Sequence, residues 1–312
     1  MVRRAILLLF TAVAVFVACN RGGMPRVLRP STPHDSYAQA LRDAGLAETA
    51  LARDWLAAAE TALRQPAAVP LPLERVARFT ASQVIAFGYR VELQRGRTYR
   101  VEVAYEGESP ATIFIDLFMP EPDGSRFKRV ASANRDRLVL EHEVSRSGTY
   151  ILRIQPELLR AGTLRVEQRT VASLGFPVSG RTSTAIRSFF GDTREAGRRE
   201  HHGVDIFAPR DTPVVAASDG IVTSVGTNPL GGNVVWVWDP ERGQSHYYAH
   251  LSRQAVTLGT RVETGEVIGY VGNTGNARST PPHLHFGIYS FGEGPIDPLP
   301  FIQGAAPAAA AE

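Results

Sequence analysis

The sequence predicts a mainly β protein: a C-terminal antiparallel β-sandwich domain preceded by a helical segment and a smaller β-sandwich. Three observations predict it. Short stretches of alternating apolar and polar residues, broken by Gly, Pro or charged turns, recur from about residue 81 to near residue 289. Residues 35–64 instead carry apolar side chains at helical intervals. Six of the eight histidines fall between His201 and His285, each beside apolar, strand-like sequence.

The bulk properties set bounds on this reading. At 312 residues and 44% hydrophobic content the chain is long enough for two domains with cores of their own. Its formal charge of +3 suits a partner bearing carboxylates and is too slight to argue for nucleic acid. There is no nucleic-acid motif, no phosphate-binding glycine loop and no second hydrophobic span. Lys128 is the only lysine among 34 basic residues, which reads as a coding bias. With Cys19 as its single cysteine, the chain forms no internal disulfide, so the core and any bound metal must hold the fold.

The elements follow in order. Met1-Val2-Arg3-Arg4 is a basic start, residues 5–18 are almost wholly apolar, and Val17-Ala18-Cys19 closes the run with small residues. Residues 1–18 therefore read as a secretory signal, too short for a membrane span. The segment resembles the lipobox of bacterial lipoproteins, with Phe16 in place of the more usual leucine. That resemblance implies lipidation of Cys19, and Asn20 after it implies the outer membrane. Residues 19–33, rich in Gly, Pro and Arg, read as a flexible tether.

Residues 34–66 form a helical segment with Tyr37, Leu41, Leu46, Ala50, Trp55, Ala59 and Leu63 at helical spacing. Gly45 interrupts it and Pro66, Pro70 and Pro72 end it. Residues 80–170 alternate over 89–93, 99–103, 112–118, 138–144, 149–154 and 164–169, which predicts a small β-sandwich in which His142 is an ordinary strand residue. Its pattern, above all Gly148-Thr149-Tyr150-Ile151-Leu152-Arg153-Ile154, resembles the pre-peptidase C-terminal domains beside secreted bacterial peptidases. No catalytic set is visible there, so a positioning, wall-binding or regulatory role is expected.

Gly175-Phe176-Pro177 marks the next boundary, and a domain is expected over 174–303, followed by an Ala-rich disordered tail at 304–312. Its strand candidates are 214–217, 220–225, 234–238, 246–250, 267–271 and 285–289. Long turns at 192–200, 227–232 and 275–282 are expected to wall a groove for an extended peptide.

Two clusters in this domain carry chemistry: His201-His202-Gly203-Val204-Asp205 and His283-Leu284-His285, with His250 between them. In a strand, residues two apart share a face, so His283 and His285 would project together while Leu284 and Phe286 are buried behind them. Gly203 lets the chain bring His201 and Asp205 toward one point. Two histidines and one carboxylate are a usual catalytic zinc set that leaves a coordination position open. The remaining two histidines would move protons or stabilise an oxyanion. Any one histidine alone is more often a surface or satisfied core residue; the clustering makes the case. His202 and His246 have no evident place in the set and read as structural or exposed. Spacing does not say which of His283 and His285 would bind metal.

The ordered blocks His-x-Gly-x-Asp, Ala216-Ala217-x-Asp219-Gly220-x-Val222, Tyr248-Ala249-His250-Leu251-Ser252, Val-x-x-Gly-x-x-Ile-Gly and Pro282-His283-Leu284-His285-Phe286 resemble the lysostaphin-type, or LytM-like, zinc metalloendopeptidases. They run over roughly 176–301, about two-fifths of the chain. The resemblance implies an antiparallel β-sandwich of the duplicated hybrid motif type. It also implies one zinc ion held by His201, Asp205 and His285, with His250 and His283 as catalytic histidines. The chain departs from the family at Gly287, where an acidic residue is common, and at Pro281, where glycine is common; both bear on groove shape. The implied activity is hydrolysis of peptide bonds in peptidoglycan stem peptides or cross-links, in the cell envelope, by a lipid-anchored protein facing the periplasm. A cell-envelope protein could regulate it. The alternative is a catalytically silent wall-binding lipoprotein that activates a cell-wall amidase; five filled functional positions favour the enzyme.

Overall fold

A computed structural model describes residues 31–134, 136–194 and 197–304. The expectations for the signal at 1–18, for Cys19, for most of the tether and for the tail beyond Gly304 lie outside the described residues. The mainly β class predicted from the sequence is the class observed, and among the described residues its sheets are antiparallel apart from one two-residue parallel pairing.

Helix α1 (Pro33–Asp43) opens on Thr32, whose Oγ1 accepts from the Asp35 N–H at 3.2 Å, with Pro33 in the first turn where no N–H is missed. Gly45, at φ +72°, turns the chain, and Thr49 caps helix α2 (Ala50–Arg64) by accepting from Ala52 N–H. The two helices cover one face of the small sandwich. Trp55 stacks on His34 at 4.6 Å and donates from Nε1 to Pro156 O at 2.9 Å. His34 in turn bonds Gln155, whose amide reaches Trp55 O. Gly88 permits the approach, because a Cβ there would sit 1.9 Å from Ala62 O.

The sandwich pairs a five-stranded sheet with a four-stranded one. The first has the order Ala67–Ala68, Phe87–Leu93, Gly148–Pro156, Ile113–Pro120, Phe127–Ser132. The second has the order Leu73–Phe79, Gly162–Ala172, Arg97–Glu106, Val139–Glu143. Tyr99, Val101, Leu117, Tyr150, Leu152, Ile154 and Leu164 fill the space between them. Besides the two-residue Ala67–Ala68, two strands escaped the sequence reading. Leu73–Phe79 pairs with the 162–172 strand ahead of the expected start at residue 80, and its mostly exposed Leu-Glu-Arg-Val-Ala-Arg sequence gives little alternation to read. Phe127–Ser132 has no fully buried residue. The reverse holds for Ile113–Pro120: buried by the core on one face and near the helices on the other, it carries a continuous apolar run broken only by Asp116. Asp116 is paired with Arg153 at 2.6 Å and accepts from Ser132.

In the C-terminal half the main sheet runs Ile186–Ser188, Val204–Phe207, His283–Ser290, Gln244–Leu251, Gly232–Asp239, Gly220–Asn228, Arg261–Val262. Gly294–Ile296 is added at the end of the 283–290 strand. A three-stranded sheet of Pro213–Val215, Val267–Tyr270 and Arg253–Gln254 accompanies it. Val204, Ile206, Val235, Val237, Tyr248, Leu284, Phe286 and Ile288 point into the core with Phe176, Val214 and Ile268. The alternate residues of the central strands are therefore free to line the other face. The two halves meet through Arg242, which is bidentate to Glu143 at 2.7 and 2.8 Å, and through Arg95 with Glu293. Gly96 lies against the Phe301 ring, where a Cβ would stand 2.6 Å away.

Candidate metal centre

Three adjacent strands build the centre. Asp205 on the 204–207 strand faces His285 across the ladder, and His285 faces Ala249 on the 244–251 strand. The period of two puts His283, His285, Gly287 and Tyr289 on one face of the 283–290 strand, while Leu284, Phe286 and Ile288 are fully buried on the other. Gly203 is required where the 201–205 segment crosses this strand. A Cβ there would meet Phe286 O at 2.4 Å and the His285 ring at 2.8 Å.

All five side chains singled out in the sequence come together. His201 Nε2, Asp205 Oδ1 and His285 Nδ1 form a triangle with sides of 3.0, 3.0 and 2.9 Å. His201 Nδ1 lies 2.8 Å from Phe189 O; a carbonyl only accepts, so Nδ1 carries the proton and Nε2 presents its lone pair inward. A lone pair, a carboxylate oxygen and a second ring nitrogen thus converge, the donor set a divalent cation such as zinc satisfies. The other oxygen, Asp205 Oδ2, accepts from Arg194 Nη2 at 2.8 Å, and Arg194 also donates to Ser188 Oγ. Burial opposes the charge on Asp205, but its bonds to His201 and His285 outweigh that and hold the carboxyl well below the usual range.

His250 and His283 stand beside this triangle, with ring centroids 5.0 Å apart. His250 Nδ1 lies 3.0 Å from Thr274 O and His283 Nδ1 lies 2.9 Å from Pro281 O. By the same argument each keeps its proton on Nδ1, which leaves Nε2 as the basic nitrogen. Burial, and then the neighbouring His285 and His283, push the His250 pKa down to about 4, so it is neutral at physiological pH. Its backbone sits at φ +62°, unusual for a residue with a side chain. The 230–232 and 274–275 loops pack backbone to backbone beneath it: a Cβ on Gly275 would lie 2.3 Å from Gly232 N. That contact fixes the Thr274 carbonyl.

The centre lies in a groove of about 600 Å³ walled by all three expected turns, through Arg194 and Arg199, Asn228 and Leu230, and Ala277 and Thr280. Among the described residues, those lining it all come from the C-terminal half. His202 is exposed on the rim and stacks on Phe190, whereas His246 is fully buried beside Ser218. His142 is a strand residue near Tyr150. Sequence reasoning missed Arg194, Ser188 and the aromatic residues Trp236, Tyr247 and Tyr289. The alternation that pairs His283 with His285 also reaches Tyr289, but no spacing pointed to Arg194.

Residues 199–298 match Peptidase family M23, and this part of the chain is an M23 domain of the lysostaphin-type kind. Over 139 residues the chain is 39% identical to an L-Ala–D-Glu endopeptidase of Bacillus subtilis (strain 168), covering 41% of this chain and 42% of that one. Over 128 residues it is 40% identical to the DD-carboxypeptidase/endopeptidase Mpg of Neisseria meningitidis, covering 40% of this chain and 29% of the relative. The chain therefore spans well under half the length of these curated relatives. Among solved structures, the catalytic domain of the antimicrobial peptidase lysostaphin from Staphylococcus simulans is similar at 34% identity. The match has a TM-score of 0.34 and covers 38% of this chain and 90% of that one.

Proposed function

We propose that the chain is a zinc-dependent endopeptidase that hydrolyses peptide bonds in peptidoglycan stem peptides or cross-links. The observation that carries this reading is the convergence of the His201, Asp205 and His285 donor atoms between two histidines whose basic nitrogens are left available. Zinc bound there would supply Lewis acidity, lowering the pKa of water from about 16 to about 7 and polarising a carbonyl. The chain's own part is to hold and move protons. His250, neutral at physiological pH, and His283, whose Nδ1 is turned to the Pro281 carbonyl, offer Nε2 to take a proton from the attacking water. Once protonated, each becomes a donor for the tetrahedral oxyanion and a source of the proton that the leaving amine needs. Arg194 keeps Asp205 oriented and charged.

The reading of a silent amidase activator gives no reason for proton-directing carbonyls behind two histidines that bind no metal. On the sequence between Met1 and Cys19 we further propose lipid anchoring at Cys19 and a cell-envelope location. A Cys19→Ala protein that still fractionates with membranes would overturn the anchor. For the enzyme, His250→Ala and His283→Ala are expected to retain zinc but lose at least about 100-fold in peptide hydrolysis. Full hydrolysis by either variant contradicts the proposed roles.

A further inference from the structure

The Ile186–Ser188 strand, at the edge of the groove, carries a bulge. Ile186 pairs with Ile206 and Ser188 with Asp205, so this strand advances two residues while its partner advances one, and Arg187 is the extra residue. Ile186 lies in the core, and regular alternation would turn Ser188 inward with it. With the bulge, Arg187 and Ser188 both line the groove. Ser188 is occupied there as the acceptor of Arg194. Arg187 is exposed and has no ion-pair partner among the described residues.

A second cavity of about 270 Å³, less than half the volume of the groove, adjoins it, and Arg187 and Phe207 line both. Phe207 stacks on His283 with ring centroids 4.9 Å apart, which puts this cavity on the His283 side of the centre. Its other wall is the 180–185 loop, which supplies Arg181, Thr182 and Thr184. The loop is pinned at both ends, because Val178 before it and Ile186 after it are core residues, and the Arg181 N–H donates to Val178 O. The hydroxyls of Thr182 and Thr184 lie 2.9 Å apart. One donates to the other, so the pair keeps one O–H for a ligand. Among the described residues no carboxylate lines the cavity, and Arg181, like Arg187, has no ion-pair partner. Two guanidinium groups and a spare hydroxyl proton therefore face a small space that holds no negative charge.

Resting on the endopeptidase reading, we infer that this side cavity is a carboxylate subsite. One carboxylate of the substrate peptide leaves the groove past Phe207 and is held by Arg187 and Arg181, with the threonine pair donating the remaining hydrogen bond. The size of the cavity suits a single short side chain or a chain end, and the bulge is the device that turns Arg187 toward it. A guanidinium offers paired N–H donors that match a carboxylate and discriminate it from the isosteric amide, whose nitrogen would meet N–H groups with N–H groups. The carboxylate can come from a side chain or from the end of the peptide, and the chemistry of the subsite is the same for both.

The test uses the full zinc-loaded chain and three forms of one stem peptide: unmodified, with its side-chain carboxylates converted to carboxamides, and with its C-terminal carboxylate converted to a carboxamide. The wild type should lose about tenfold in kcat/KM, mainly through KM, on one amidated form, and Arg187→Gln and Arg181→Gln should each abolish most of that loss. The amidated form on which the variants act identifies the source of the carboxylate. Equal kcat/KM on all three forms, or a loss undiminished in either variant, overturns the inference. Equilibrium binding of the same peptides to His250→Ala, which leaves the Phe207 and His283 pair in place, separates the subsite from the parent reading. Binding that favours the unmodified peptide about tenfold, with no hydrolysis by the wild type, supports the subsite and sinks the endopeptidase. Equal binding of all three forms overturns the subsite even in an active enzyme.

Discussion

Replacing Gly203 by alanine tests the geometry that brings the donor atoms together. The new methyl would lie 2.4 Å from Phe286 O and 2.8 to 2.9 Å from the His285 imidazole. An ordinary contact needs about 3.5 Å or more, so the 201–205 segment would have to retreat by about 1 Å. Phe286 O belongs to the central strand of the sheet and cannot give way, and His285 is itself a donor. The displacement therefore falls on His201 and Asp205, which opens the triangle. Overpacking of this kind costs about 1 to 3 kcal/mol in stability. A misplacement of about 1 Å at a reacting centre costs about 100-fold in rate. Competition for zinc against a chromophoric chelator, with thermal unfolding of the metal-free protein alongside, measures both. Gly203→Ala should bind zinc at least about tenfold more weakly and melt several degrees lower. Unchanged affinity and melting temperature would refute the reasoning.

Two further predictions concern residues that no motif singled out. Arg194→Gln should weaken zinc affinity about 10- to 100-fold without altering the far-ultraviolet spectrum, because it removes the partner of Asp205 Oδ2 and leaves the core untouched. His34, held down to about 4 by burial and by the nearby Arg153, should make docking of α1 and α2 sensitive to acid. The folded state binds fewer protons than the unfolded one, whose His34 titrates near 6.5, so this contribution is intact above pH 6.5 and lost as pH falls toward 4. The loss is at most about 3 kcal/mol, and amide exchange across residues 33–64 at pH 7 and pH 4.5 should show it, with His34→Gln flattening the difference.

The site was legible where chemistry and periodicity coincide. His283 and His285 share a face because a strand repeats every two residues, and Gly203 stands beside His201 and Asp205 because the crossing admits no Cβ. What the sequence withheld was of two kinds. The proton positions on His201, His250 and His283 are set by backbone carbonyls of Phe189, Thr274 and Pro281, which no side-chain pattern encodes. Arg194 reaches Asp205 from a loop whose course depends on tertiary packing. In the fold, alternation revealed the strands that bury one face, while Leu73–Phe79 and Phe127–Ser132, largely exposed or half-buried, left little signal.

The central claim is that the His201, Asp205 and His285 donors hold a zinc ion that lets this groove cut peptidoglycan peptides. Mass spectrometry of muropeptides digested by the zinc-loaded wild type and by His201→Ala tests it most directly. The account predicts new peptide-bond cleavage products with the wild type, their loss on chelation and return on adding zinc, and none with His201→Ala. Identical products from both proteins, or none from a fully zinc-loaded wild type, would contradict it.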